Sequence, residues 1–113
     1  MKSIELDGKL IGDGQPCYFI AEIGSLFKNF EEAKKLIDSA IEIGIDAVKF
    51  QTFEADTITT KNNLFNMKNT GEISQYELFK KCEISKELQI EVTNYANKKG
   101  ITVFSAPSHI KDL

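Results

Sequence analysis

The stretch "GIDAVKFQTF", Gly44 to Phe53, reads as a core β-strand with a lysine in its middle. Ala47, Val48 and Phe50 suit a buried strand, yet Lys49 brings an ammonium group among them, and a lysine is rarely buried without a partner. Strand parity separates the two sets. Lys49 shares a face with Ala47 and Gln51, whereas Val48 and Phe50 take the other. The lysine thus points away from the large apolar residues, and in a closed barrel it would point inward, toward the mouth.

Upstream, "CYFIAEIG" (17–24) is a nearly continuous apolar run ended by Gly24, which predicts a buried strand over Tyr18–Ile23. Between the two strands Asn29 opens a helix, with Glu32 three residues on in a capping-box pattern. Phe30, Ala33, Ile37, Ala40 and Ile41 share one helical face, and Gly44 suits the C′ position, so a helix is predicted over Phe30–Ile43. The strand itself is predicted over Asp46–Gln51. Downstream, "TITTKNNLFNMKNTG" (57–71) is polar and rich in Asn and Thr and reads as loop. Ser74 caps a short helix through "QYELFKKC". Ser85 caps a longer one, Lys86–Lys99, with Leu88, Val92, Tyr95 and Ala96 as its apolar stripe and Gly100 as its stop. A last strand, Thr102–Ser105, is cut off by Pro107. At the other end, Asp7-Gly8 in "SIELDGKLIG" (3–12) is a hairpin signal.

Strands alternating with helices imply parallel βαβ units wound right-handed, with the three strands adjacent in chain order. The order is hairpin (1–16), then three βα units (17–113). Three parallel strands leave an open sheet edge, so the chain reads as the opening of a larger α/β fold, and self-association or capture of a partner carrying further strands is expected.

Composition excludes several classes. The 113 residues carry a net charge of -3, with 42% hydrophobic and 27% charged residues. That balance fits a globular domain and argues against nucleic acid, whose binding domains are usually basic. No apolar run approaches a membrane span, and the N-terminus lacks a signal-peptide core, which makes a cytoplasmic location the expectation. Cys17 and Cys82 are expected to be reduced, small apolar fillers.

The polar residues collect at strand C-termini: "AEIG", "VKFQT" and "FSAPS". That edge is where parallel α/β proteins bind ligands. Glu22, Lys49 and Ser105 are expected to converge there on a shared cavity. Glu22 and Lys49 have a bland reading, a structural ion pair, and two functional ones. As a cation Lys49 would bind a phosphate or carboxylate. As a desolvated amine it would form a Schiff base, as in a class I aldolase. A neighbouring carboxylate favours the cation. Ser105 and Ser108 read either as donors to an anion or as turn residues around Pro107. His109, the only histidine, reads as surface.

"FIAEIG", "EAKKLIDSA", "DAVKFQTF", "MKNTG", "SQYELFKKCEIS" and "KKGITVFSAPS", in that order, resemble the N-terminal barrel half of sialic acid synthases, the family of N-acetylneuraminate, legionaminate and pseudaminate synthases with spore-coat relatives. The resemblance runs from Tyr18 to Pro107. It implies a TIM (β/α)₈ barrel, of which this chain covers about three βα units, without the C-terminal antifreeze-like domain. It implies condensation of phosphoenolpyruvate with an N-acyl hexosamine to a nine-carbon 2-keto sugar acid. A divalent metal, Mn²⁺ or Mg²⁺, would polarise the aldehyde, held by histidines from later strands. By the same resemblance Lys49 contacts phosphoenolpyruvate, Glu22 lies beside the reacting carbons, Gln51 supports the site and Asn69 reaches the sugar.

Two motifs depart from the family. It usually reads Glu-Ile-Gly, one variable residue, then Asn-His-Asn-Gly, where this chain has "EIGSLFKNF", and it usually reads Ser-Thr-Pro where this chain has Ala106 between Ser105 and Pro107. The departures imply either a relative with another acceptor sugar or a non-catalytic remnant or assembly subunit. The 113-residue chain alone is expected to be inactive.

Overall fold

The computed structural model describes residues 2–113. Strands β1 (Ile4–Leu6) and β2 (Lys9–Ile11) form the expected hairpin. Asp7 and Gly8 turn it with φ of 50° and 78°, the left-handed pair that a two-residue hairpin turn requires. Strand β3 (Ile20–Glu22) follows, then helix α1 (Phe30–Glu42) and strand β4 (Ala47–Thr52). A short helix α2 (Ala55–Ile58) leads to strands β5 (Leu64–Met67) and β6 (Gly71–Ser74) and helix α3 (Gln75–Cys82). Helix α4 (Lys86–Lys99), strand β7 (Thr102–Pro107) and a 3₁₀ turn (Ile110–Asp112) complete the described chain.

The central sheet has the order β3-β4-β7, and both pairings are parallel, as the alternation of strands and helices predicts. The two long helices pack on the same sheet face. Phe27, Ile37, Val48 and Val92 are fully buried there, joined by Ile23, Phe50, Ala33 and Ala96. The opposite face of the sheet has Ile20, Glu22, Lys49, Gln51 and Phe104, and Ile20 and Phe104 are exposed on it.

Local signals account for the helix ends. The Asn29 side chain accepts from the Glu32 amide at 3.0 Å, a cap worth about 1 kcal/mol. The Glu32 carboxylate returns to the amide of Lys28 instead of Asn29, so the reciprocal bond is displaced one residue outward from a capping box. Ser74 and Ser85 accept from the Glu77 and Leu88 amides. Gly100 closes α4 at φ 78°, a left-handed cap that spares glycine a Cβ clash.

Four expectations are corrected. Residues 57–71, expected to be mostly loop, also hold a strand pair: β5 and β6 pair antiparallel from Leu64↔Ser74 to Met67↔Gly71. The ribbon is anchored by Phe65, whose ring meets Phe79 edge-on at 5.9 Å, while Leu64 and Met67 stay exposed. Pro107 does not cut the last strand off at Ser105 but is itself its final residue, opposite Thr52. β7 lies at a margin of this sheet, where a missing N–H is tolerated. The first strand is shorter than Tyr18–Ile23, although the Ile23 amide still donates to the Lys49 carbonyl at 2.8 Å. Cys17 is exposed, not an apolar filler.

The N-terminal hairpin is clamped to the sheet by charge. Lys9 pairs with Asp46, whose other oxygen accepts from the Phe19 amide at 2.6 Å, and Thr102 donates to Asp7. The Lys9 ammonium, then the Phe19 N–H, hold Asp46 below its ordinary value of 3.8, and the hydrogen bond to Asp46 holds Lys9 above 10.5. A lowered carboxylate contributes stability above its unfolded pKa and loses it as pH falls through the folded one. A raised lysine contributes below its unfolded pKa and loses it as pH rises through the folded one. The clamp is therefore constant between about pH 4 and pH 10 and weakens outside that window. In an acid titration followed by NMR, the amides of Lys9 and Phe19 are expected to shift below about pH 4, ahead of global unfolding. Amides that hold their positions until the whole chain unfolds would show that charge does not dock the hairpin.

Candidate functional site at the C-terminal ends of the strands

Glu22 and Lys49 face each other in register on β3 and β4. Lys49 Nζ lies 2.6 Å from Glu22 Oε2, and the second carboxylate oxygen, Oε1, accepts from the Gly24 amide at 2.8 Å. Gly24 reaches that position at φ 41°, where an L side chain is strained, and an added Cβ would sit 3.4 Å from Glu22 Oε1. The turn after β3 is thus shaped to hold the carboxylate beside the lysine.

The side chains of Lys49 and Glu22 are 33% and 41% exposed. An ion pair this open contributes about 0–1 kcal/mol to stability. Stability alone is a weak reason for a strand to carry it. What the arrangement offers is an ammonium group on the face free of the long helices, held in place and open to an incoming anion. Gln51 is exposed two residues along the same face, and its carboxamide makes no hydrogen bond among the described residues.

Ser105 does not join them. It is in register with Phe50, and so lies on the helix-covered face, opposite Lys49. Its hydroxyl bonds that of Thr52, which donates in turn to Gln89 Oε1 at 2.9 Å, while Gln89 Nε2 donates to the Ile84 carbonyl at 2.9 Å. Ser105 ties β7 to β4 and α4. The residue that shares the Lys49 face is Ala106, opposite Gln51. Asn69 stands exposed in the turn between β5 and β6 and makes no hydrogen bond to Glu22 or Lys49. Ser108 donates its amide to the Thr52 carbonyl at 3.0 Å, and His109 accepts from the Lys111 amide at 3.1 Å, both turn roles.

A cavity of about 370 Å³ opens beside the pair, lined by Glu22 and Gln51 and by Leu26, Phe53, Leu78 and Phe79 among others. Sequence reasoning missed this apolar wall, which combines the turn after β3, the end of β4 and helix α3. The available signal was Leu26 of "SLF", an apolar residue in a turn where polar ones are usual.

Among the described residues no three His, Cys, Asp or Glu side chains come together as a metal site. Both oxygens of Glu22 are already engaged. The residues present do not fit the divalent metal that the resemblance implies. No helix among the described residues is long and apolar enough to cross a membrane.

Fold and site together define an α/β protein that presents a carboxylate–ammonium pair at the C-terminal ends of parallel strands. Residues 36–113 match the NeuB family, and the chain belongs to that family. It is 39% identical over 99 residues to the N,N'-diacetyllegionaminic acid synthase of Legionella pneumophila, covering 83% of this chain and 28% of that protein. An uncharacterized protein of Methanocaldococcus jannaschii is 34% identical over 113 residues, covering 98% of this chain and 30% of the relative. Among solved structures, the N-acetylneuraminic acid synthetase of Leptospira borgpetersenii superposes with a TM-score of 0.78 at 25% identity, covering 98% of this chain and 36% of that one. The chain therefore spans about a third or less of the proteins it matches.

Proposed function

We propose that this chain supplies the phosphoenolpyruvate-binding side of a nonulosonic acid synthase. In this reading its three parallel strands are part of a (β/α)₈ barrel, and the complete site joins phosphoenolpyruvate, an N-acyl hexosamine and water into a 2-keto sugar acid, releasing phosphate. Lys49 meets the phosphate or carboxylate of phosphoenolpyruvate. Glu22, beside it, is placed to move a proton at the reacting carbons or at the water. Gln51 orients the sugar, and Asn69 reaches it from the turn of the β5–β6 ribbon. The observation that carries the reading is the half-exposed Glu22–Lys49 pair at 2.6 Å, on a sheet face free of long helices, in a member of the NeuB family.

The 2.6 Å ion pair of Lys49 with Glu22 supports anion binding over imine formation, since a Schiff base needs an unpaired amine. Phosphoenolpyruvate added to the 113-residue chain is expected to shift the Lys49 side-chain resonances. With Mn²⁺ and N-acetylmannosamine also present, the same chain is expected to release no phosphate above background, because the described residues form no metal site. Lys49 resonances that stay still would defeat the anion reading. A pyruvate adduct trapped on Lys49 by borohydride would replace it with the aldolase one.

A further inference from the structure

Building on that reading, we infer that the cavity beside Glu22 receives the acyl chain of the acceptor's 2-acylamino group, and that its apolar wall selects for longer acyl chains than acetyl. In a 2-acylamino hexose the acylamino arm is attached one carbon from the aldehyde. If the aldehyde carbon lies beside Glu22, that arm is carried directly into the space that Glu22 borders. Gln51 stands at the polar end of this space with an unengaged carboxamide, which offers one donor and one acceptor to match an amide. Glu22, held by the Gly24 amide and Lys49, is an acceptor only and supplies no donor to the amide carbonyl.

Beyond Gln51 the lining turns apolar: Leu26, Phe53, Leu78 and Phe79. Phe53 and Phe79 meet edge to face at 5.8 Å and form a firm apolar wall, with Ser25 and Cys82 also on the lining. Leu26 forms the outer rim and is 71% exposed, an apolar residue left in water that a ligand's hydrocarbon would cover. The volume of about 370 Å³ falls within the range of small-molecule pockets, roughly 300–1,000 Å³.

Cys82 also lines this cavity and is a free, half-buried thiol, which provides a direct reporter. In a Cys17→Ser variant, made because Cys17 is exposed, the rate of Cys82 labelling by a soluble disulfide reagent can be measured against N-acetyl-, N-propanoyl- and N-butanoylmannosamine. Protection is expected at about fourfold lower sugar concentration for each added methylene, the effect of burying one such group. Leu26→Asn, a change at an exposed position, is expected to flatten that series while the amide spectrum shows the chain still folded. Equal protection by all three sugars, or none, with phosphoenolpyruvate still shifting Lys49, overturns the cavity assignment alone. Loss of the phosphoenolpyruvate response overturns the reading on which it rests.

Discussion

Replacing Phe27 by alanine is expected to lower the stability of the fold by about 3–5 kcal/mol. Phe27 is 1% exposed, and its ring meets Phe50 edge-on at 6.3 Å, under the turn that carries Gly24 to Glu22. Truncation opens a cavity between that turn, β4 and α1, and the surrounding helices can close it only in part. Against a total of about 5–15 kcal/mol for an ordinary domain, the loss is a large fraction. Urea denaturation should show a lower midpoint with an unchanged slope, since the surface exposed on unfolding is nearly the same. A loss below about 1.5 kcal/mol, the scale of a volume-conserving core swap, would show that Phe27 is not a packed anchor.

Lys49→Met is expected to do the reverse, leaving the fold intact and removing anion binding. The ion pair contributes only about 0–1 kcal/mol at its exposure, so the midpoint of unfolding should barely move. A hydrogen bond to a charged group is worth about 1.5–3 kcal/mol, which predicts a phosphoenolpyruvate affinity roughly ten- to a hundredfold weaker by calorimetry at low salt. Lys49→Arg keeps the charge and should recover part of the loss. An affinity for Lys49→Met within about twofold of the unaltered chain, far less than one such bond contributes, would remove Lys49 from the site.

What was legible in the sequence, and what was not, divides by range. Asn29, Ser74, Ser85 and Gly100 act on amides within a few residues of themselves, and the helices begin or end where they stand; α4 occupies Lys86–Lys99, as its caps predict. The Glu22–Lys49 pairing was legible because each is a charged residue set within an apolar strand, near its C-terminal end and at matching depth. Ser105 was misplaced because the register of β7 against β4 is a long-range property, and one residue of offset moves a side chain to the other face. The β5–β6 ribbon escaped because its strands are short, lie in an Asn- and Thr-rich stretch and leave Leu64 and Met67 exposed, with Phe65 packed on Phe79 as an anchor. The cavity escaped because Leu26, Phe53 and Phe79 lie on three separate elements that only the folded chain brings together.

The alternation along β7 also bears on how such a protein changes over generations. Ser105 is bonded into Thr52 and, through it, to α4, whereas its neighbour Ala106 projects to the other side of the sheet, beside Gln51. Drift at position 105 is penalised through folding. Position 106 is released from that constraint and can trade a hydroxyl for a methyl with little loss of architecture. Adjacent codons therefore answer to different selective pressures, one set by the scaffold and one by whatever the open face recognises.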